Sequence, residues 1–227
     1  TGKYTADFTL PTVNTEIIDD TVFLALLTDT LGEDIGPNNL TPSVSGSLSV
    51  KEFAPFGPSG GLPTIPYDPS VHGGSGLFLG LGDRISTTES LGSGDFTVEL
   101  WAYTLTAGDD AFFDTRTSGA SRSTGLTFTA IDSDTVRIFD SSARLTIDGI
   151  SYLNQWVHFA VVRSSGVIKI YVNGVSQGSA SVTNNYSDTD FVIGDSKGYG
   201  DTDAYISDFR LIKGTALYTA DFTPPTT

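Results

Sequence analysis

The strongest constraint on the fold is the stretch from Gln155 to Val182, QWVHFAVVRSSGVIKIYVNGVSQGSASV. Its three segments, rich in β-branched residues, are separated by Ser-Ser-Gly and by the pair Asn173 and Gly174. Asn-Gly tolerates the positive φ angles of a type I′ turn, which joins two antiparallel strands. We therefore predict three consecutive antiparallel strands in this stretch.

The rest of the chain shows the same β pattern. TGLTFTA and DTVRIFD are predicted to form a hairpin whose turn contains Asp132 and Ser133, and FVIGD is predicted to be a further strand. The late stretch ISDFRLI is predicted to pair with the early strand VFLALL. No window of about a dozen residues has helical periodicity free of glycine, proline or β-branched runs. About ten to twelve short strands without helices predict an all-β, two-sheet antiparallel jelly-roll sandwich.

The strand FTVELWAYT has large side chains on both of its faces. Alternation along a strand places Phe96 and Val98 on one face, and Glu99 and Trp101 on the other. We therefore expect both faces of this strand to be at least partly covered.

A long stretch rich in glycine and proline, residues 53–76, has no periodicity. At about two dozen residues it is longer than ordinary connections between strands. It is either a linker between two domains or a loop on the edge of one sandwich. We favour the loop, because the preceding segment is too short and too broken to hold a core of its own.

The first and the last dozen residues of the chain have nearly the same sequence. TGKYTADFTLPT at residues 1–12 and TALYTADFTPPT at residues 215–226 match at nine of twelve positions, offset by 214 residues. Two similar edge strands or linkers within one domain would explain the match, but a repeat boundary explains it better. We predict that residues 1–12 end a preceding repeat, that residues 13–214 form one domain, and that residues 215–227 are the exit linker. The absence of methionine fits a segment of a longer chain.

Charge narrows the range of partners. The chain has 12 Lys and Arg against 27 Asp and Glu, a formal net charge of −15. Such a balance argues against nucleic acid and anionic membranes as partners, and it favours the binding of cations. The chain contains no cysteine, which excludes disulfides and thiolate chemistry. The longest apolar run, VFLALL, is far too short to span a membrane, so no membrane insertion is expected.

Several of these motifs together resemble laminin-G-like domains, which are concanavalin-A-like jelly rolls. The residues that carry the resemblance are GSGLFLGLGDRIST, LGSGDFTVELWAYT, NQWVHFAVVRSSGVIKIYVNGV and AYISDFRLIKGTALYTADFTPPT. The likeness is greatest to modules repeated in bacterial surface proteins and in marine phages. It implies the fold but no particular ligand, because this fold hosts lectins, hydrolases, adhesion modules and inert spacers.

Catalysis is not expected. Hydrolases of this fold are similar to one another in a Glu-x-Asp-x-x-Glu strand, in which two carboxylates do the nucleophile and acid work. Glu99 lies alone on its strand, with neither Asp nor Glu two or five residues later. His158 is predicted to be a structural histidine in mid-strand, and His72 an exposed loop residue.

An acidic stretch near the end of the chain is the candidate calcium site. GDSKGYGDTDAYISD gathers Asp195, Asp201, Asp203 and Asp208 around two strand ends. Carboxylate oxygens on a flexible loop are the ligands that calcium takes, and the resemblance adds weight because many laminin-G-like domains hold one calcium at the rim. Asp83 is a weaker candidate ligand. Solvated turn carboxylates are the alternative explanation.

Two tyrosines in polar loops are the candidate sugar-binding residues. Tyr186 follows Asn184 and Asn185, and Tyr199 lies in KGYGD. Lectin sites combine a stacking aromatic ring with amide and carboxylate groups, although loop filler would produce the same pattern.

Two functional hypotheses follow. The first is a non-catalytic structural or adhesive repeat module of a phage fibre, virion appendage or extracellular filament, contacting neighbouring repeats and weakly binding cell-surface glycans. The second is a calcium-dependent lectin or carbohydrate-binding module attached to an enzyme or scaffold. Both place the protein on a virion or at the outside of a cell.

Overall fold

The computed structural model describes residues 21–25, 31–56, 73–80, 82–117, 124–197, 200 and 202–225. Within these residues the chain forms fifteen β-strands and no helix, so it has no helical segment able to cross a membrane there. The strands are β1 (Thr21–Ala25), β2 (Ser43–Ser45), β3 (Ser49–Lys51), β4 (Ser75–Leu79), β5 (Arg84–Thr87), β6 (Phe96–Thr104), β7 (Asp110–Asp114), β8 (Thr127–Ala130), β9 (Val136–Phe139), β10 (Ala143–Ile147), β11 (Trp156–Ser164), β12 (Val167–Val172), β13 (Val175–Ser181), β14 (Phe191–Ile193) and β15 (Asp203–Lys213).

The strands form two antiparallel sheets. The first sheet has the order β13-β12-β11-β6-β15-β4-β3, and β1 also pairs with β15. The second has the order β10-β9-β8-β7-β14-β5-β2. This architecture confirms the predicted jelly-roll sandwich. The described strands outnumber the prediction because several strands of the second sheet, such as β2, β5 and β7, are only three to five residues long and show no clear period.

Three local predictions of strand pairing are confirmed. Strands β11, β12 and β13 follow one another as antiparallel neighbours, and Asn173 and Gly174 between the last two have φ angles of 49° and 79°. Strands β8 and β9 form the predicted hairpin. Strand β1 pairs with β15, with Phe23 opposite Leu211.

The core lies between the two sheets and is rich in phenylalanine. Phe159 of β11 contacts Phe112 of β7 and Phe128 of β8, with ring centroids 5.0 and 5.5 Å apart. Phe113 stacks on Phe191 of the neighbouring strand at 5.7 Å. All five rings are fully buried, and the contacts of Phe159 with Phe112 and Phe128 hold the first sheet against the second.

The outer face of the first sheet is covered by aromatic rings, as the pattern of β6 predicts. Phe53, at the start of the glycine- and proline-rich stretch, packs on Tyr103, Trp156 and Tyr205, with centroids 4.8 to 5.2 Å away. Residues after β15 cover another part of the same face. This face is therefore largely used for packing within the domain.

The segments before and after the glycine- and proline-rich stretch belong to the same two sheets. Strand β3 pairs with β4 in the first sheet, and β2 pairs with β5 in the second. Strand β4 begins at Ser75, inside the predicted loop 53–76, and residues 57–72 lie outside the described part of the chain. The strands on both sides of the stretch therefore belong to one sandwich.

Candidate functional site

A groove lined by hydroxyl groups lies at the edge of the second sheet, where β2 pairs with β5. Ile85 is buried in the core, so its strand neighbour Ser86 points away from the core. Ser43 lies directly opposite Ser86 in the register of the two strands. The groove has a volume of about 290 Å³ and its described lining residues are Leu40, Thr41, Ser43, Ser86, Thr87, Thr88 and Asp190. We call it the hydroxyl groove.

A charged pair stands beside the hydroxyl groove. The Lys197 ammonium lies 2.9 Å from the carboxylate of Asp190 and donates to the carbonyl oxygens of Asp190 and Arg116. Three oxygens therefore hold the lysine in place. The Asp190 carboxylate is 47% exposed, so it remains available to a ligand in the groove.

The lining residues determine what the groove can recognise. Five hydroxyl groups and one carboxylate can donate and accept hydrogen bonds at several points, which suits a small polyhydroxylated molecule. The volume lies at the lower end of ligand pockets. The described lining includes no histidine and only one carboxylate, so it offers no acid–base pair for hydrolysis.

The prediction that the ring of Tyr186 stacks on a sugar is wrong. Its side chain is 1% exposed and packs edge-on against Phe96 in the core. Its hydroxyl lies 3.4 Å from Asp140, and burial raises its pKa. A ring enclosed in this way cannot offer a face to a sugar.

The other predicted sugar-binding residues do not form a site with Tyr186. The Asn184 amide donates to Asp140 at 2.8 Å, so it serves the same buried carboxylate. Asn185 is exposed. Tyr199 lies outside the described residues. The aspartate that these neighbours surround, Asp140, also accepts a hydrogen bond from Arg144 and is a structural anchor for the loops around it.

Two of the predicted calcium ligands are engaged in structural contacts. Asp83 accepts hydrogen bonds from the backbone N–H groups of Ser47 and Leu79, one on each carboxylate oxygen. Asp195 pairs with Arg84 at 3.1 Å and accepts a hydrogen bond from the backbone of Lys197 at 2.6 Å. Both carboxylates are buried and organise turns at the ends of strands.

Asp203 and Asp208 cannot ligate the same ion. They lie five residues apart on β15, a separation of about 16 Å in an extended strand. Calcium–oxygen distances are about 2.5 Å. Asp208 is buried at a bulge in the strand, with a φ of 50°, and accepts a hydrogen bond from Ser207. The prediction that all four late aspartates share one site is therefore wrong with respect to Asp208.

Asp203 instead meets a carboxylate that the sequence did not single out. Asp110, the first residue of β7, accepts a hydrogen bond from the backbone N–H of Asp203 at 3.0 Å. Its other oxygen is buried and has no hydrogen-bond partner among the described residues. Burial, together with the nearby charges of Asp203 and Asp109, raises the pKa of Asp110 to about 6. The sequence offers one indication of this site, because two adjacent aspartates, Asp109 and Asp110, stand immediately before the apolar residues of β7.

A metal site is not complete within the described residues. No group of three or more acidic or histidine side chains there could hold a metal ion. Asp201, two residues before Asp203, lies outside the described part of the chain. Calcium binding therefore remains a prediction, and Asp110 and Asp203 are the described carboxylates on which it rests.

Glu99 is a structural carboxylate on the outer face of the first sheet. It is 1% exposed, accepts a hydrogen bond from Arg210 at 2.6 Å and lies 3.3 Å from His158. Burial alone would raise the pKa of Glu99, but the hydrogen bond from His158 and the charge of Arg210 hold it below its usual value. His158 is buried in mid-strand, as predicted. His72 lies outside the described residues.

Solved structures with the same fold include an arabinanase domain, a receptor binding domain and a neurotoxin binding domain. Domain 4 of an extracellular arabinanase from Geobacillus stearothermophilus, in complex with arabinotriose, aligns with a TM-score of 0.56 and 16% identity, covering 86% of this chain and 93% of that one. A receptor binding domain aligns with a TM-score of 0.61 and 13% identity, covering 88% and 49%. The binding domain of botulinum neurotoxin DC, in complex with SialylT, aligns with a TM-score of 0.57 and 14% identity, covering 91% and 49%.

The chain thus spans about half the length of the latter two structures. At these identities the likeness establishes the fold alone. No curated protein sequence matches the chain. The family model described as the concanavalin A-like lectin/glucanases superfamily matches residues 80–219, which is more than half of the chain. The resemblance to laminin-G-like jelly rolls is confirmed, and the chain belongs to the concanavalin A-like lectin/glucanase superfamily.

Proposed function

We propose that this domain is a non-catalytic carbohydrate-binding module of an extracellular or surface protein, and that the hydroxyl groove holds the sugar. The observation that carries the proposal is the groove itself, with five hydroxyl groups and the exposed Asp190 carboxylate around about 290 Å³. The outer face of the first sheet is a poorer candidate, because rings and residues after β15 cover it.

Two solved structures support a carbohydrate as the ligand class. The arabinanase domain was solved with arabinotriose, and the neurotoxin DC domain with SialylT. Neither identifies the sugar for this chain. The described groove supports binding without turnover, since it holds a single carboxylate and Glu99 is buried in an ion pair on the other sheet.

The test is a glycan array followed by calorimetry with the best ligand. Replacing Ser86 with Ala and Thr88 with Val removes two hydroxyl groups, and we expect binding to weaken about tenfold or more because the sugar loses hydrogen bonds. Thr146→Val, on the exposed far edge of the same sheet, is the matched control and leaves affinity unchanged. The proposal is contradicted if the wild type, the variant with both groove substitutions and Thr146→Val have equal affinity, or if no glycan binds at all. Prolonged incubation with the bound oligosaccharide should yield no shorter product.

The setting that we propose for this module is a repeat protein of a phage fibre, virion appendage or extracellular filament. The repeated sequence at residues 1–12 and 215–226 supports it. The alternative is a single module attached to an enzyme or scaffold. Further copies of YTADFTPPT at a spacing near 214 residues in the parent gene favour the repeat protein. A catalytic domain beside a lone copy favours the alternative.

We also propose that calcium binds at the rim where Asp110 meets Asp203. Its support is the buried oxygen of Asp110 that has no hydrogen-bond partner among the described residues, together with the nearby charge of Asp203. Asp110 and the groove residue Asp190 lie at opposite ends of the second sheet, because β7 and β14 run antiparallel. Calcium at this rim would therefore stabilise the fold without touching the sugar.

The test of the calcium proposal is a thermal melt. Millimolar calcium should raise the unfolding midpoint relative to chelator. The free energy of unfolding should increase by about 2.7 kcal/mol if calcium exceeds its Kd a hundredfold. Asp110→Asn should abolish the shift, and Asp208→Asn should change stability without abolishing it. An unchanged wild-type midpoint contradicts the proposal. Sugar affinity in calcium and in chelator should be the same.

A further inference from the structure

The residues after β15 pack onto the outer face of the first sheet. Ala160, Val162 and Tyr171, on β11 and β12, form a small buried cluster there, separate from the main core. Tyr218 and Phe222 pack against this cluster, with their own rings stacked at a centroid distance of 3.4 Å and an interplanar angle of 3°. We call this face, centred on Tyr171, the tail site.

Aromatic contacts locate Phe222 in the tail site. Its ring centroid lies 5.4 Å from that of Tyr171 and 5.8 Å from that of His158. The Tyr218 hydroxyl lies 3.5 Å from Arg210, the partner of the buried Glu99. The two rings thus close the outer face above a buried ion pair.

Hydrogen bonds fix the register of the tail in its site. The N–H of Phe222 donates to the carbonyl of Gly174 at 2.9 Å, and the carboxylate of Asp221 accepts from the N–H of Ser176 at 2.9 Å. Lys169 donates to the carbonyl of Thr219 at 3.1 Å. The site therefore recognises a Tyr-Thr-Ala-Asp-Phe segment through two rings, one carboxylate and the backbone between them.

The first residues of the chain repeat every one of these recognition elements. Tyr4, Asp7 and Phe8 have the same spacing as Tyr218, Asp221 and Phe222, and the residues between them are identical. The two segments differ at only three of twelve positions, where Gly, Lys and Leu replace Ala, Leu and Pro.

The three differences spare the contacts that define the site. Leu217 is held through its backbone N–H, which donates to Thr97 at 2.9 Å, and a lysine supplies the same group. Ala216 touches the cluster with a single methyl group, which glycine lacks. Pro224 follows the paired rings and makes none of the hydrogen bonds described above.

We propose that Thr1–Thr12 is a second docking segment, which occupies the tail site of another copy of this domain. In an isolated chain the site is filled by its own tail, whose tether gives it a high effective concentration. The N-terminal segment of one copy therefore competes with the tail of the other copy for the same site. Each such contact joins two domains head to tail through the first sheet and leaves the hydroxyl groove of the second sheet free.

A full-length acceptor with an empty tail site tests this proposal. Tyr218→Ala and Phe222→Ala empty the site, and Tyr4→Ala and Phe8→Ala remove the competing segment of the same chain. The probe is a fluorescent peptide of residues 1–12. We expect saturable binding by anisotropy, at least about tenfold tighter than for the same peptide with both rings replaced by alanine. Wild-type protein, with its site filled, should bind the peptide more weakly than the acceptor.

The outcomes of this experiment are distinct. A folded acceptor that binds TALYTADFTPPT but not TGKYTADFTLPT overturns the proposal, as does a folded acceptor that binds neither. Binding of both, with mutual competition, supports it.

A graft into the intact chain decides the matter if the acceptor does not fold. The graft gives the tail the sequence of the N-terminal segment through three substitutions, Ala216→Gly, Leu217→Lys and Pro224→Leu. Because the docking groups are unchanged, we expect the unfolding midpoint to stay within about 2 °C of wild type, whereas Phe222→Ala lowers it further. A graft as unstable as Phe222→Ala overturns the proposal. Neither experiment involves a sugar, so failure here leaves the carbohydrate proposal standing.

Discussion

Asp110 carries a carboxylate that the fold disfavours in its charged form. Burial, with the charges of Asp203 and Asp109, raises its pKa from 3.8 to about 6. Between these two values the folded protein binds more protons than the unfolded chain, so the free energy of unfolding falls as pH rises. Above about pH 6 the whole penalty applies, and it is of the order of 3 kcal/mol.

Asp110→Asn should therefore stabilise the protein at pH 7 in chelator. The amide keeps an oxygen for the N–H of Asp203 but carries no charge. The gain should shrink towards zero at pH 4, where Asp110 is protonated in the folded protein. Urea unfolding at the two pH values measures it, and Asp109→Asn, at an exposed neighbour, should give a smaller change. A gain for Asp110→Asn that does not depend on pH would show that charge is not the cause.

At the scale of elements, the turn between β12 and β13 is shaped to receive the tail. A Cβ added to Gly174 would lie 1.9 Å from the carbonyl oxygen of Phe222. Gly149 has the same φ of 79°, but a Cβ there would meet nothing within 4 Å. Substitution of either glycine strains the backbone equally, but only a side chain at position 174 would also collide with the tail.

We expect Gly174→Ala to destabilise the protein more than Gly149→Ala. Both substitutions pay for a positive φ, about 1–2 kcal/mol, but only the first must also displace the tail. The loss for Gly174→Ala should reach about 3–4 kcal/mol by chemical denaturation. Equal losses would mean that the tail moves aside without cost and contributes little to stability.

At the scale of the whole molecule, charge opposes the compact state. The formal net charge of −15 arises from 27 acidic residues against 12 basic ones. The excess acidic residues repel one another, and folding brings them closer together. Added salt shortens the screening length from about 30 Å at 0.01 M to about 3 Å at 1 M. Sodium chloride should therefore raise the unfolding midpoint at pH 7 in chelator.

The same titration near pH 4 is the control. Many carboxylates are protonated there, so the repulsion and the effect of salt should both be smaller. A midpoint at pH 7 that falls with salt would show that specific ion pairs, such as Arg84 with Asp195, outweigh the general repulsion.

Much of the architecture was predictable from short-range patterns. Alternation and turn residues predicted the β11–β13 meander, the β8–β9 hairpin and the covered outer face of β6, because each depends on residues close together in the chain. Tyr218 and Phe222, within the predicted exit linker, pack on the outer face of the first sheet, a contact between residues about 50 positions apart in the chain. Other short strands of the second sheet, such as β2, β5 and β7, show too weak a period to be recognised.

Local patterns are enough to predict a two-sheet β-sandwich with repeated end segments, because strand periodicity, turn chemistry and repetition depend on residues close together in the chain. Which side chains come into contact depends on the three-dimensional fold. The sheet order places β5 between β2 and β14, and so brings Ser43 and Asp190 to one groove across most of the chain. The same long-range pairing buries Tyr186 and joins Asp110 to Asp203. No local pattern encodes these contacts, since they depend on how distant strands pair.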